Sequence, residues 1–98
     1  MRIAENVRVA REAAQDLLRL GYAVICPHTM THGWEECSFL TDEMFLENGL
    51  EQVRRCDAVL VVGYWRTSEG TQAEIAEAER CGIPVFHERQ RLLEELTP

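Results

Sequence analysis

The chain has 98 residues, 46% of them apolar and 28% charged, the make-up of one globular domain spanning residues 1–98. A net charge of −7 without a basic stripe argues against binding a nucleic-acid polymer, and no apolar run is long enough to cross a membrane as a helix. The amino terminus reads as a charged helix rather than a signal peptide, so a cytoplasmic location is expected.

Residues 3–20 carry Ile3, Val7, Ala10, Ala14, Leu17 and Leu18 at three- and four-residue spacing, which predicts a helix ending on Gly21. Arg8 with Glu12, and Asp16 with Arg19, stand at pair-forming spacings on its polar side. Residues 22–26 are a short apolar run stopped by Pro27 and predict a strand. Residues 28–40 predict a loop. His28 and His32 with nearby Cys37 have the residue types of a metal site, but that spacing converges only on a helix. Pro27, Thr29, Thr31 and Gly33 predict a loop instead, lining a substrate or facing solvent, and no metal or cofactor is expected. A second helix is predicted over 42–55, with Thr41 as cap and Phe45, Leu46, Leu50 and Val53 turned inward. Asn48-Gly49 within it implies either close packing or a break.

Residues 58–63 are apolar on both alternating faces, as in a parallel strand covered on both sides. A helix over about 71–81 presents Ile75, Ala76 and Ala78 inward and closes on Cys81-Gly82. Residues 83–86 form a last strand, placed near an edge by Pro84, and 88–96 a short helix with Leu92, Leu93 and Leu96 on one side. Cys26, Cys37, Cys56 and Cys81 form no C-x-x-C pair, and three of them read as small buried apolar residues. The alternation of helix and strand predicts an α/β fold of the flavodoxin- or Rossmann-like kind, three layers α/β/α around a short parallel sheet.

The loop after residues 58–63 lies at the carboxyl end of a buried strand, where open parallel sheets place ligands. Glu74 is expected in the first turn of the helix that follows, where backbone N–H groups and the helix dipole favour a carboxylate or a phosphate. Thr71-x-x-Glu74 also has the spacing of a capping box, a structural role compatible with a pocket role.

Glu5-Asn6-Val7, Ala10, Leu18-x-x-Gly21, Pro27-His28, Cys56-Asp57-Ala58, Trp65-x-x-Ser68-x-Gly70-x-x-x-Glu74, Ala78 and Gly82-Ile83-Pro84-Val85 together resemble the nucleoside 2-deoxyribosyltransferase superfamily, in particular its short branch of unknown function. In that superfamily a Glu in the position of Glu74 attacks the anomeric carbon and the sugar passes to another base or to water. Transferases there carry an Asp where this chain has Ser68. Ser68 followed by Gly70 is similar to the branch that hydrolyses 2′-deoxynucleoside 5′-monophosphates, in which this loop meets the phosphate. The chain opens on a helix, so the family's first strand is expected to be lacking from it: either three strands pair directly, or the protein starts further upstream, or a partner fills the gap.

An N-glycosidic bond breaks through an oxocarbenium-like state that a nearby carboxylate can stabilise or trap. Glu74 is the expected nucleophile and Asp57 either orients the site or is a turn residue. Ser68 Oγ with the N–H groups of Gly70 and Thr71 would hold a 5′-phosphate, with Arg66 offsetting charge nearby. Tyr64 and Trp65 either stack on the base or pack inside, and His28 and Trp34 close the pocket from the opposite loop. Glu77 and Glu79 read as solvated helix surface. The expected function is an N-glycosidase or deoxyribosyltransferase for (deoxy)nucleosides or their 5′-monophosphates. Two alternatives remain open. One is an inactive nucleotide-binding or sensing module. The other is a hydrolase similar to the cytokinin phosphoribohydrolases, whose Gly-Gly-x-Gly-Thr-x-x-Glu loop is echoed by Gly70-Thr71-x-x-Glu74. A homo-oligomer, dimer or larger, is expected from a free strand edge and from the resemblance.

Overall fold

The computed structural model describes residues 2–30, 33–63, 66 and 68–98, with the side chains of residues 2–4, 6, 28 and 29 outside that description. Among the described residues the order is α1 (Arg2–Arg19), α2 (Pro27–Met30), a 3-10 turn (Trp34–Glu36), α3 (Asp42–Arg54), β1 (Val59–Leu60), α4 (Glu69–Arg80), β2 (Val85–Phe86) and α5 (Arg89–Glu95). The chain is a helix-rich α/β fold with one small parallel sheet. None of the described helices is long and apolar enough to cross a membrane.

Helix α1 forms where its periodicity predicts, and it buries Ala10, Ala13 and Leu17. The buried stripe centres on those three, which leaves Leu18 about 100° round the helix and 63% exposed, contrary to the expected inward placement. Arg8 meets Glu12 and Arg19 meets Asp16, each at 3.1 Å, on the exposed side. The helix ends in a Schellman motif, with Tyr22 N–H donating to Leu17 O and Gly21 N–H to Leu18 O. Gly21 has φ 104°, a conformation that glycine adopts without a steric cost.

Strand β1 pairs in parallel with β2, Val59 opposite Val85 and Leu60 opposite Phe86. Val59 N–H donates to Pro84 O (3.0 Å) and Val61 N–H to Phe86 O (2.8 Å). The ladder is shorter than the expected 58–63 because its partner bends away at His87 and Glu88 and enters α5 at Arg89. Leu17, Phe86 and Leu92 form the core, with Tyr22, Val24, Ala58, Leu60 and Leu93 packed around them.

Residues 22–26 differ from expectation. Their burial alternates as a strand's would, with Tyr22, Val24 and Cys26 half-buried and Ala23 and Ile25 exposed, yet among the described residues they join no ladder. Side chains hold the segment instead: Tyr22 and Val24 pack on the core, and the Tyr22 hydroxyl donates to Leu96 O. The expected loop over 28–40 also gains structure. Pro27, whose fixed φ and missing N–H suit a first helical position, opens the single turn of α2, and Gly33 precedes the 3-10 turn. The cysteines are less buried than expected: Cys26, Cys37 and Cys56 are half-buried and Cys81 is exposed, and no disulfide joins any two of them among the described residues. His32 lies outside the described residues.

Helix α3 is continuous through Gly49, and Thr41 caps it, its Oγ1 accepting from Met44 N–H at 3.1 Å. Gly49 and Val53 are its buried residues, Phe45 and Leu50 are half-buried, and Leu46 is exposed rather than inward. Helix α4 buries Ala78 completely, keeps Ile75 half-buried, and turns Ala76 outward, contrary to expectation. These two helices pack against each other more extensively than any other pair of elements. That seam carries the candidate site.

Candidate functional site in the α3–α4 seam

The loop after β1 leads into α4, whose first turn is organised by Ser68. Its Oγ accepts from Thr71 N–H (3.2 Å) and its hydroxyl donates to Thr71 Oγ1 (3.0 Å). The helix therefore starts at Glu69 with Ser68 as N-cap, and the expected Thr71-x-x-Glu74 capping box does not form. The amide of Gln72 reaches back to donate to Arg66 O, tying the loop to the helix. Gly70 is exposed and Thr71 half-buried. Of the groups expected to cradle a phosphate, the Ser68 hydroxyl and Thr71 N–H are already bonded to each other's residue.

The earlier start of α4 changes the setting of Glu74. Counted from Glu69, it is the sixth helical residue, in the second turn rather than the first. The dipole and the free N–H groups act within the first turn, so neither supports its charge. Its carboxyl is instead directed onto α3, where Oε2 lies 2.7 Å from the point a Cβ on Gly49 would occupy. Glu74 is half-buried, and among the described residues no donor or cation partners its carboxyl. Burial pushes its pKa above the ordinary carboxylate value, because water is removed and nothing replaces it.

Gln52 stands one turn beyond Gly49 on the same side of α3. Its Oε1 is buried and has no hydrogen-bond partner among the described residues. An unpaired buried acceptor costs about 1–3 kcal/mol, so the seam holds two polar groups left unsatisfied among the described residues. Neither Gly49 nor Gln52 was expected to belong to the site. A signal for Gln52 existed: with Phe45, Gly49 and Val53 it completes the i, i+4, i+7, i+8 stripe of an inward face, and a polar residue there is out of place.

The opposite end of the same seam is saturated. Arg54 bonds Glu47 and Glu51 on its own helix and Glu77 on α4, and Glu77 also receives Arg80. Glu77 is 12% exposed, so it is not the solvated surface residue expected. Arg80 and Arg54 hold its carboxyl down to about 2. Among the described residues the two helices are thus clamped at Arg54–Glu77 and unpaired at Glu74.

Asp57 is exposed at the amino end of β1, the end opposite to the loop that carries Ser68. With burial as the larger cause, its charge helps to raise the pKa of the neighbouring Cys56 thiol. Trp34 is exposed on the 3-10 turn. Tyr64, Trp65 and the side chain of His28 lie outside the described residues. Among the described residues no three His, Cys, Asp or Glu side chains gather as a metal-binding group.

A model of the DUF7768 family, described as a domain of unknown function, matches residues 1–88. The chain belongs to this family. No curated protein and no solved structure matches it. The DUF7768 match runs from α1 through β2, so both helices of the Glu74–Gly49 seam lie inside it, and α5 lies beyond it.

Proposed function

We propose that the chain is a cytoplasmic enzyme of the nucleoside 2-deoxyribosyltransferase kind, cleaving the N-glycosidic bond of (deoxy)nucleosides or their 5′-monophosphates through Glu74. The wider architecture proposed with it is the three-layer α/β/α sheet of that superfamily, assembled as a homo-oligomer. One observation carries the reading: the Glu74 carboxyl is half-buried in the α3–α4 seam with no partner of its own among the described residues. A carboxylate stripped of water and left unpaired is a stronger nucleophile and a stronger electrostatic partner for a cation than a solvated one. The oxocarbenium-like state of glycosidic cleavage is such a cation, and Glu74 would stabilise it or bond to the anomeric carbon. The bond that forms is Glu74 O to C1′, the bond that breaks is C1′ to the base nitrogen, and water or a second base then takes the sugar.

Incubation with a panel of deoxynucleosides and their monophosphates, read as free base by chromatography, tests this. Release by wild type and none by Glu74→Ala supports it. Adding ribonucleotides to the panel separates the phosphoribohydrolase-like alternative.

A nucleotide-binding module without chemistry is the second reading. It is favoured by the absence, among the described residues, of any acid or hydroxyl bonded to Glu74, and by the internal pairing of Ser68 with Thr71. Nucleotide-dependent thermal stabilisation without turnover distinguishes it.

A further inference from the structure

We propose that Gly49 is the positioning residue for Glu74: the missing side chain on α3 is the space in which the carboxyl sits. Three observations meet at this point. Gly49 is buried in the interior of a continuous helix, where glycine is a poor choice on propensity alone. Its backbone angles are those of the helix, so no turn requires a glycine there. The first atoms that an added Cβ would meet are Glu74 Oε2 at 2.7 Å and Glu74 Cδ at 3.6 Å. The first distance is shorter than side-chain carbons tolerate, so any residue other than glycine displaces the carboxyl.

The displacement is cheap, because the clashing atom is the far end of a long side chain. A methyl group at position 49 therefore moves the carboxyl without breaking the helix. Glu74 has a route outward, since it is only half-buried and no hydrogen bond or ion pair among the described residues holds it. The charged neighbours in the seam are already committed: Arg54 to Glu47, Glu51 and Glu77, Arg55 to Glu51, and Arg80 to Glu77. None of these three arginines is left to recapture a displaced carboxylate, which would turn to water.

As a statement about position the proposal stands on geometry; as a statement about chemistry it rests on the reading of Glu74 as nucleophile. The test keeps the two apart. Carboxyl carbon shifts of Glu74 are followed by NMR against pH in wild type and Gly49→Ala, with base release measured on the same samples. The expected result is a midpoint that moves down toward the ordinary carboxylate value in Gly49→Ala, with loss of any base release. An unchanged midpoint overturns the proposal whatever the activity. A shifted midpoint in a protein that never releases base upholds the positioning role and sinks the enzyme reading instead. Melting midpoints give a second measurement: Gly49→Ala should raise the midpoint more in a Glu74→Ala background than in wild type. Equal changes in both backgrounds count against the contact, as does a Gly49→Ala variant that fails to fold and is not restored by Glu74→Ala.

Discussion

The Glu74 carboxyl and Gly49 share one space, with Oε2 2.7 Å from the position of an absent Cβ. A helix-interior glycine costs about 1 kcal/mol relative to alanine, and an unpaired half-buried carboxyl adds a desolvation cost. Both are local losses that packing alone does not require, and both fall in the seam between α3 and α4.

Glu74→Gln should stabilise the protein at neutral pH, because the amide carries no charge to desolvate. The sign follows from linkage. A carboxyl whose folded pKa is raised binds its proton more tightly in the native state, so its stabilising effect is complete below the unfolded value of 4.5 and is lost as pH rises through the folded value. Denaturation midpoints of wild type and Glu74→Gln should therefore converge in acid and separate above it. Midpoints that run parallel across that range would contradict the account.

Glu77 should behave in the opposite sense. Its pKa is lowered from 4.5 to about 2 by Arg80 and Arg54, so its contribution is present above 4.5 and is lost as pH falls toward 2. Glu77→Gln should lower stability at pH 7 and have little effect in strong acid. Urea titrations at the two pH values check this, and a deficit of equal size at both would rule it out.

Ser68→Ala should cost about 1 kcal/mol, the usual loss for an N-cap hydroxyl. Ser68→Asp should keep most of the stability, since Asp also caps. Thr71→Ala should cost less than Ser68→Ala, because Thr71 donates the cap bond from its backbone N–H and keeps it. Chemical denaturation ranks the three, and a Thr71→Ala loss equal to or larger than the Ser68→Ala loss would return the cap to Thr71.

Gln52→Met should raise stability by about 1 kcal/mol, since it removes a buried acceptor without a partner while keeping a similar volume. If Gln52 serves a ligand, the same change should weaken nucleotide-dependent stabilisation. A loss of stability in the ligand-free protein would show that Oε1 is satisfied in solution.

Much of the framework was legible in the sequence. The α1 stripe, the Thr41 cap and the apolar run that becomes β1 are local signals, and each element formed within a few residues of its expected place. What was not legible depended on contacts between distant residues. Residues 22–26 are expected to be a strand from their apolar run, but an apolar run does not supply a hydrogen-bonding neighbour, and among the described residues they join no ladder. The start of α4 was misplaced because Ser68 and Thr71 are both good caps, and the competition is settled by which hydroxyl meets which N–H. That shift moved Glu74 out of the dipole's reach and into the seam. Glu77 looked like surface because its partner Arg54 lies 23 residues away.

The central claim is that Glu74 is the nucleophile of an N-glycosidic cleavage. The most direct measurement is release of free base from 2′-deoxynucleoside 5′-monophosphates by wild type and by Glu74→Ala, with thermal melting showing that both are folded. The account predicts release by wild type and none above background by the variant. Equal release from both proteins, or none from folded wild type with any deoxynucleoside or monophosphate tried, would contradict it.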